Sequence, residues 1–299
     1  MTNQSRSFEL KDLHENQNIS GFRTANLYEG NNDEAVGARF VSIKHGFIVD
    51  LLQIQSVPQG FFWVKTPPKW DKGEPHTYEH LVGYKGSVGR NVCELEEMTL
   101  GKSTASTYQL ITAYHFNTIA GEETFFEIFS ANLNALLNPD FTDEEIRREI
   151  CHVGVVIDPN DSTLSLDEKG MVYTEMVSVF ERVSFHLSMA MDEMIYGEDH
   201  PVANVSGGEP SAMRTMTPSD LWDFHRQYYV PTNMGVILSI PDNIELEPFM
   251  GRISEILDLC IRSDANNQKE NTPINSITVH NLPDPQPQAE PGTIAITGY

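Results

Sequence analysis

Thr66-Pro67-Pro68-Lys69-Trp70-Asp71-Lys72-Gly73-Glu74-Pro75-His76-Thr77-Tyr78-Glu79-His80 is the stretch on which the reading of this chain turns. It reads as a loop that delivers a short helix. Pro75 suits the first turn, where a missing N–H costs nothing. Residues four apart stack on one helical face, so His76 and His80 can both turn an imidazole nitrogen to a single ion. Glu79 borders that face and can reach a water held there without binding the ion itself.

The order H-x-x-E-H inverts the H-E-x-x-H of zinc proteases, and it predicts a hydrolytic Zn2+ site. The plainer alternative is an amphipathic helix with two surface histidines. A third ligand downstream decides between them.

The rest of the composition sets bounds. A chain of 299 residues, 39% hydrophobic and 21% charged, has the make-up of a globular protein with one large core or two modest ones. Twenty Lys and Arg against 43 Asp and Glu leave a net charge of −23. That argues against nucleic acid, whose phosphates demand a basic face. It favours cationic partners, such as basic unfolded peptides, if the acidic groups line a cavity. No apolar run is long enough for a membrane span. Cys93, Cys151 and Cys260 are too scattered for a disulfide framework. With no signal-peptide pattern at the N-terminus, the expected compartment is the cytoplasm.

Along the chain, residues 1–34 read as an N-terminal arm and 35–261 as one domain. Val36 to Ser42 and Phe47 to Ile54 alternate as strands. Phe61-Phe62-Trp63-Val64 is a third strand, whose apolar run predicts burial on both faces. Residues 87–102 read as a mobile loop, and Ser103 to Ile119 as one long β stretch. Its small residues Thr104, Ala105, Ser106 and Thr107 suit an edge that binds a substrate peptide as an added strand. Helices follow over Glu122 to Leu137, from a Thr142/Glu145 capping box to about Val156, and from a Ser165/Glu168 box to Tyr196 with Gly170 inside. Thr217-Pro218 opens another through Tyr229, before a strand from Met234 to Ile240. Residues 262–299 turn Pro- and Asn-rich and read as a linker with the start of a second unit.

For the third ligand, His115, His152 and His186 are weak candidates. Glu145 is explained by capping, and Glu149 lies beside Arg147 and Arg148 on a face that reads as solvated. Glu175 lies mid-helix in Met171-Val172-Tyr173-Thr174-Glu175-Met176, where an unpaired carboxylate would be costly and a metal would neutralise it. Glu168, two helical turns earlier, is placed to touch a ligand imidazole from behind.

These residues resemble a known family, the insulinase/pitrilysin metallopeptidases, and most of all its presequence-protease branch. The matching stretches are Thr66 to His80, Glu168-Lys169-Gly170-Met171-Val172-Tyr173-Thr174-Glu175-Met176, Tyr196-Gly197-Glu198-Asp199-His200-Pro201, Ser206-Gly207-Gly208-Glu209-Pro210 and Phe224-His225-Arg226-Gln227-Tyr228-Tyr229. They span about residues 35–240. The sequence departs from the branch after the motif, where Val82-Gly83-Tyr84-Lys85-Gly86 replaces a Cys-Gly-Ser turn. The resemblance implies an α+β fold, an antiparallel sheet backed by helices, with Glu175 as third zinc ligand. It also implies domain pairs that close around unfolded peptides, and a second half supplying an Arg and a Tyr to the substrate carbonyl. The implied activity is that of a zinc-dependent endopeptidase with Glu79 as general base. The rival is a non-catalytic subunit that captures peptides or scaffolds a separate half, and the intact Glu79 argues against it.

Overall fold

A computed structural model describes residues 9–261 and 282–287. Residues 1–8 of the expected arm, and most of the expected linker over 262–299, lie outside the described residues. The remainder of the arm is not an appendage. After a 3-10 turn at Leu10–Asp12, β1 (Asn18–Ile19) and β2 (Phe22–Glu29) join the main sheet. Leu10, Leu13, Ile19 and Phe22 are buried in its core, and that apolar set is what draws the segment in.

The sheet continues with β3 (Ala35–Ser42), β4 (Ile48–Gln53) and β5 (Gln59–Lys65). Next come α1 (Glu74–Val82) and α2 (Gly86–Met98), then the hairpin β6 (Gly101–Thr107) and β7 (Ile111–Thr118). Helices α3 (Glu122–Leu137) and α4 (Asp143–Ile150) precede a separate hairpin, β8 (His152–Ile157) and β9 (Leu164–Lys169). The chain proceeds through α5 (Met171–Phe180), α6 (Val183–Tyr196), α7 (Pro210–Met213) and α8 (Pro218–Tyr228), and ends in β10 (Met234–Ile240) and α9 (Leu246–Cys260). Strand order in the main sheet is β1-β2-β3-β4-β10-β5-β7-β6. Neighbours are antiparallel except β10, which runs parallel to β4 and antiparallel to β5. The α+β class is as expected.

One face of the sheet carries the core. Phe62 of β5 stacks on Phe116 of β7 at 5.4 Å, Phe116 on Phe125 of α3 at 5.4 Å, and Phe125 on Phe249 of α9 at 5.9 Å. Such offset rings bury large apolar area in few residues. The β5 run is not buried on both faces. Phe62 and Val64 point inward, while Phe61 is 39% exposed and lies on His115 at 4.2 Å on the outer surface. The strand has an ordinary two-residue period, masked in sequence by an apolar outer face.

Three further expectations are corrected. Residues 87–102 hold α2, because Val88, Val92 and Leu95 recur at helical spacing against the core. The Thr142/Glu145 capping box forms, but α4 stops at Ile150, and His152 starts β8. The long helix from Ser165 does not exist. Leu164–Lys169 is a strand, and Gly170 turns the chain at φ +139° into α5. Both the hairpin and α6 show apolar side chains to solvent: Val155, Ile157 and Leu166 on the hairpin, and Val183, Leu187, Met191 and Ile195 along α6.

Candidate metal centre

Helix α1 is held from behind. Tyr78 is fully buried, stacked on His225 and tilted against Tyr229 at 4.1 Å, and Tyr229 shares a 2.6 Å hydroxyl contact with Tyr114. That anchoring turns His76, Glu79 and His80 to the opposite side, toward an open cleft of about 510 Å³. The two imidazoles lie 4.7 Å apart at right angles. Nδ1 of His76 donates to the carbonyl of Gly207 at 3.4 Å, and Nδ1 of His80 donates to the Glu149 carboxylate at 3.1 Å. Both Nδ1 atoms are thus occupied, which leaves the Nε2 lone pairs for the cleft. They converge on one oxygen: Oε2 of Glu175 lies 3.7 Å from Nε2 of His76 and 3.6 Å from Nε2 of His80. Among the described residues this is the group of side chains fit to hold a metal, its donor atoms all within 4.8 Å of one another. Two imidazoles, one carboxylate and an open fourth direction form the donor set of a catalytic zinc.

Glu175 arrives from α5 as anticipated, for a different reason. Its side chain is half exposed to the cleft rather than stranded among apolar neighbours, which face the other way: Val172, Tyr173 and Met176 pack with Val205 and Met213. That small cluster fastens α5 to the 204–209 loop. The loop is fixed to the stretch before α1, since Asp71 accepts from the backbone of Val205 and of Glu209, each at 2.7 Å. Gly73 and Gly208 allow this contact, as a Cβ on Gly73 would meet the Gly207 carbonyl at 2.6 Å. The Ser206-Gly207-Gly208 stretch therefore sets His76 as much as its own helix does.

Glu79 sits beside the group, and the Thr107 hydroxyl donates to its Oε2 at 3.3 Å. Burial pushes its carboxyl above the ordinary range, against the counteracting pull of His80. Burial and the neighbouring His80 lower His76. For His80 burial acts downward, but the Glu149 hydrogen bond with the Glu79, Glu149 and Glu175 charges carry it upward.

Strand β6 is the free edge of the sheet, paired only with β7. Ala105, Ser106 and Thr107 line the cleft, whereas Thr104 does not. Glu168 is elsewhere. It grips Arg214 through two hydrogen bonds of 2.6 and 2.7 Å and accepts from the Tyr173 hydroxyl, which holds its carboxyl down to about 2. Because Gly170 ends the strand, Glu168 is not two helical turns above Glu175 and touches neither imidazole. Glu149 takes that place. Arg147 and Arg148 turn back along α4 to Asp143 and Glu144, leaving Glu149 buried against α1, where His80 and the Lys85 ammonium reach it. Its one sequence signal was its position one helical turn beyond the cap residue Glu145, on the same face.

No protein-family model matches the chain. In sequence it is 28% identical over 232 residues to Protein HypA of Clostridium perfringens, covering 75% of this chain and 23% of that protein. It is 30% identical over 178 residues to the mitochondrial presequence protease of Kluyveromyces lactis, covering 56% of this chain and 17% of the protease. It thus spans between 17% and 23% of the length of these relatives. Pitrilysin superposes with a TM-score of 0.57 at 17% identity, over 79% of this chain and 24% of pitrilysin. A protein described as an M16-like peptidase from Alicyclobacillus acidocaldarius gives 0.56 at 18% identity, over 79% of this chain and 49% of that one. The chain has the fold of these peptidases and resembles, as its motifs led us to expect, the insulinase/pitrilysin family and its presequence proteases.

Proposed function

We propose that this chain is the catalytic domain of a zinc-dependent endopeptidase that acts on unfolded peptides. The observation that carries the reading is the convergence of His76 Nε2, His80 Nε2 and Glu175 Oε2 beside Glu79. A zinc ion held by these three side chains would supply Lewis acidity to a water and to the scissile carbonyl. Glu79 is placed to take a proton from an attacking water and would return it to the departing amine. Its raised carboxyl suits it to both halves of that exchange. Edge strand β6 offers backbone groups to an extended peptide and ends at Thr107, which touches Glu79, so an added strand would carry its carbonyls past the base.

Nothing among the described cleft residues supplies an Arg to the carbonyl oxygen. We assign that role to a complementary half, as a separate chain or a further part of a longer one. The open apolar row on α6 and the β8–β9 hairpin support a partner of that kind.

The test is metal content and cleavage of an unstructured peptide, with and without the complementary half. One zinc per chain is expected, lost in His76→Ala, His80→Ala or Glu175→Gln. Glu79→Gln should keep the zinc and lower turnover by about 10²–10⁴. Undiminished zinc in Glu175→Gln would remove that residue from the site, and unchanged turnover in Glu79→Gln would remove the base.

A further inference from the structure

Hairpin tips as a rule turn their side chains to water. The tip between β6 and β7 does not. Its middle residue, Gln109, lines the cleft and reaches a distant part of the chain. Nε2 of Gln109 donates to the Pro201 carbonyl at 2.9 Å and to the Asn204 carbonyl at 2.6 Å. Both acceptors are carbonyl oxygens, so only the nitrogen end of the side chain suits the position. The acceptors belong to a loop whose residues 202–207 line the cleft in an unbroken run. Buried His200 starts that loop, its Nδ1 accepting from the Val202 backbone at 3.1 Å. The side chain of Asn204 donates to the Pro68 carbonyl at 3.1 Å, in the stretch before α1. Further along the same loop, the Gly207 carbonyl backs His76. One short loop thus holds the tip of the free edge at one end and an imidazole of the site at the other.

We infer that Gln109 is a positioning residue for the substrate peptide: it ties the edge that receives the peptide to the loop behind His76, so that edge and metal centre keep one fixed separation. The inference rests on the reading of β6 as the peptide-binding edge. That strand is paired on one side only, by β7. At its start the Ser103 hydroxyl donates to Glu96 at 2.7 Å, and at its end Thr107 donates to Glu79 at 3.3 Å. The second bond is long for a hydroxyl donor, and it is a weak hold on the residues that face the cleft. Gln109 adds two bonds just beyond them. Strand addition needs a row of N–H and C=O groups already in line. An edge that is in line for only part of the time binds more weakly by that fraction. The two bonds of Gln109 go to the loop, not to a metal ligand or to Glu79, so the metal itself should not register their loss.

The experiment compares wild type with Gln109→Met, which keeps the length of the side chain and loses its donors, in the whole 299-residue chain. The probe is a dye-labelled, uncharged, unstructured peptide titrated into zinc-free protein, where it cannot be cleaved. Its Kd should rise about 5- to 100-fold in Gln109→Met, as two hydrogen bonds that hold the edge are lost. The zinc Kd from chelator competition should stay within about twofold. The amides of Ala105 to Thr107 that pair with β7 should exchange faster with solvent. Gln109→Asn, which keeps the amide one methylene short of the loop, should fall in between. It takes the place of Gln109→Met if thermal melts show that the latter does not fold. A folded Gln109→Met protein with wild-type peptide affinity overturns the inference. So does a loss of zinc affinity that matches the loss of peptide affinity, which would make Gln109 a general support of the fold. A wild type that binds no peptide would sink the reading of β6 instead. Amide exchange then judges the tie by itself, faster in Gln109→Met if it stands and unchanged if it does not.

Discussion

His225 shows how one side chain behind the site governs its tolerance of acid. Its ring stacks on Tyr78, the anchor of α1, and its Nε2 donates to the Leu136 carbonyl at 3.2 Å. Burial holds the imidazole down to about 4. The unfolded chain, with an ordinary imidazole near 6.5, therefore binds more protons than the native one between those values. Stability is fully present above the unfolded value and drains away as pH falls toward the folded one, by at most about 3 kcal/mol. Urea unfolding of zinc-free protein at about pH 7 and about pH 4.5 checks this. His225→Gln, which can still donate to Leu136, should flatten the loss; an unchanged loss would acquit the residue. At this scale the sequence was most legible where one helix does the placing. His76, Glu79 and His80 share α1, and spacing alone puts them on one side. Glu175 was singled out by its apolar neighbours in sequence and by the resemblance, but the first argument had the wrong cause, since its carboxylate faces the open cleft rather than the apolar cluster. Glu149 was hidden because its burial depends on α1, a separate element, and on the two arginines beside it turning away.

Among the elements, the β9–α5 junction decides whether the third donor arrives. Gly170 holds a φ of +139°, and a Cβ there would lie 2.3 Å from the Ile150 carbonyl oxygen. Gly170→Ala must strain the backbone and push α5 from α4, at a cost on the order of 1–3 kcal/mol. Because α5 carries Glu175, zinc affinity should fall along with the melting temperature. A variant that loses stability but binds zinc as tightly as wild type would show that α5 is placed by its apolar cluster instead. The same glycine explains why one continuous helix was the natural reading of 165–196. Ser165 and Glu168 imitate a capping box, and the apolar positions beyond Gly170 are truly helical. A single positive-φ residue divides a strand from a helix, and only its contact with Ile150 reveals that. By contrast α4 and α8 were readable to their first residue, because Thr142/Glu145 and Thr217/Asp220 are closed by hydrogen bonds within four residues.

Over the whole molecule, charge and strand order matter most. The cleft is lined by Glu79, Glu175 and Asp192, and by no Lys or Arg among the described residues, so the acidic excess of the chain extends into the site. A Lys-rich peptide should be bound or cleaved several-fold better than its Glu-rich counterpart, with salt erasing the difference. Equal rates for the two would mean that the charge serves solubility. The general architecture was legible from the alternation of strands and the helical runs that follow them. The parallel pairing of β10 with β4 was not, because pairing partners far apart in sequence leave no local trace. That pairing also has a meaning in time. Among the described residues the middle of the sheet is the last of its strands along the chain, and α8, one of the elements packed behind α1, comes just before it. Without β10 the strands β1–β4 and β5–β7 are two unjoined leaves, and without α8 the helix that carries the histidine pair lacks one of the elements packed against it. Closure waits for a contact between distant parts of the chain, the slow kind of step in folding. The backing of His76 and His80 is therefore completed only when segments far apart in the chain meet.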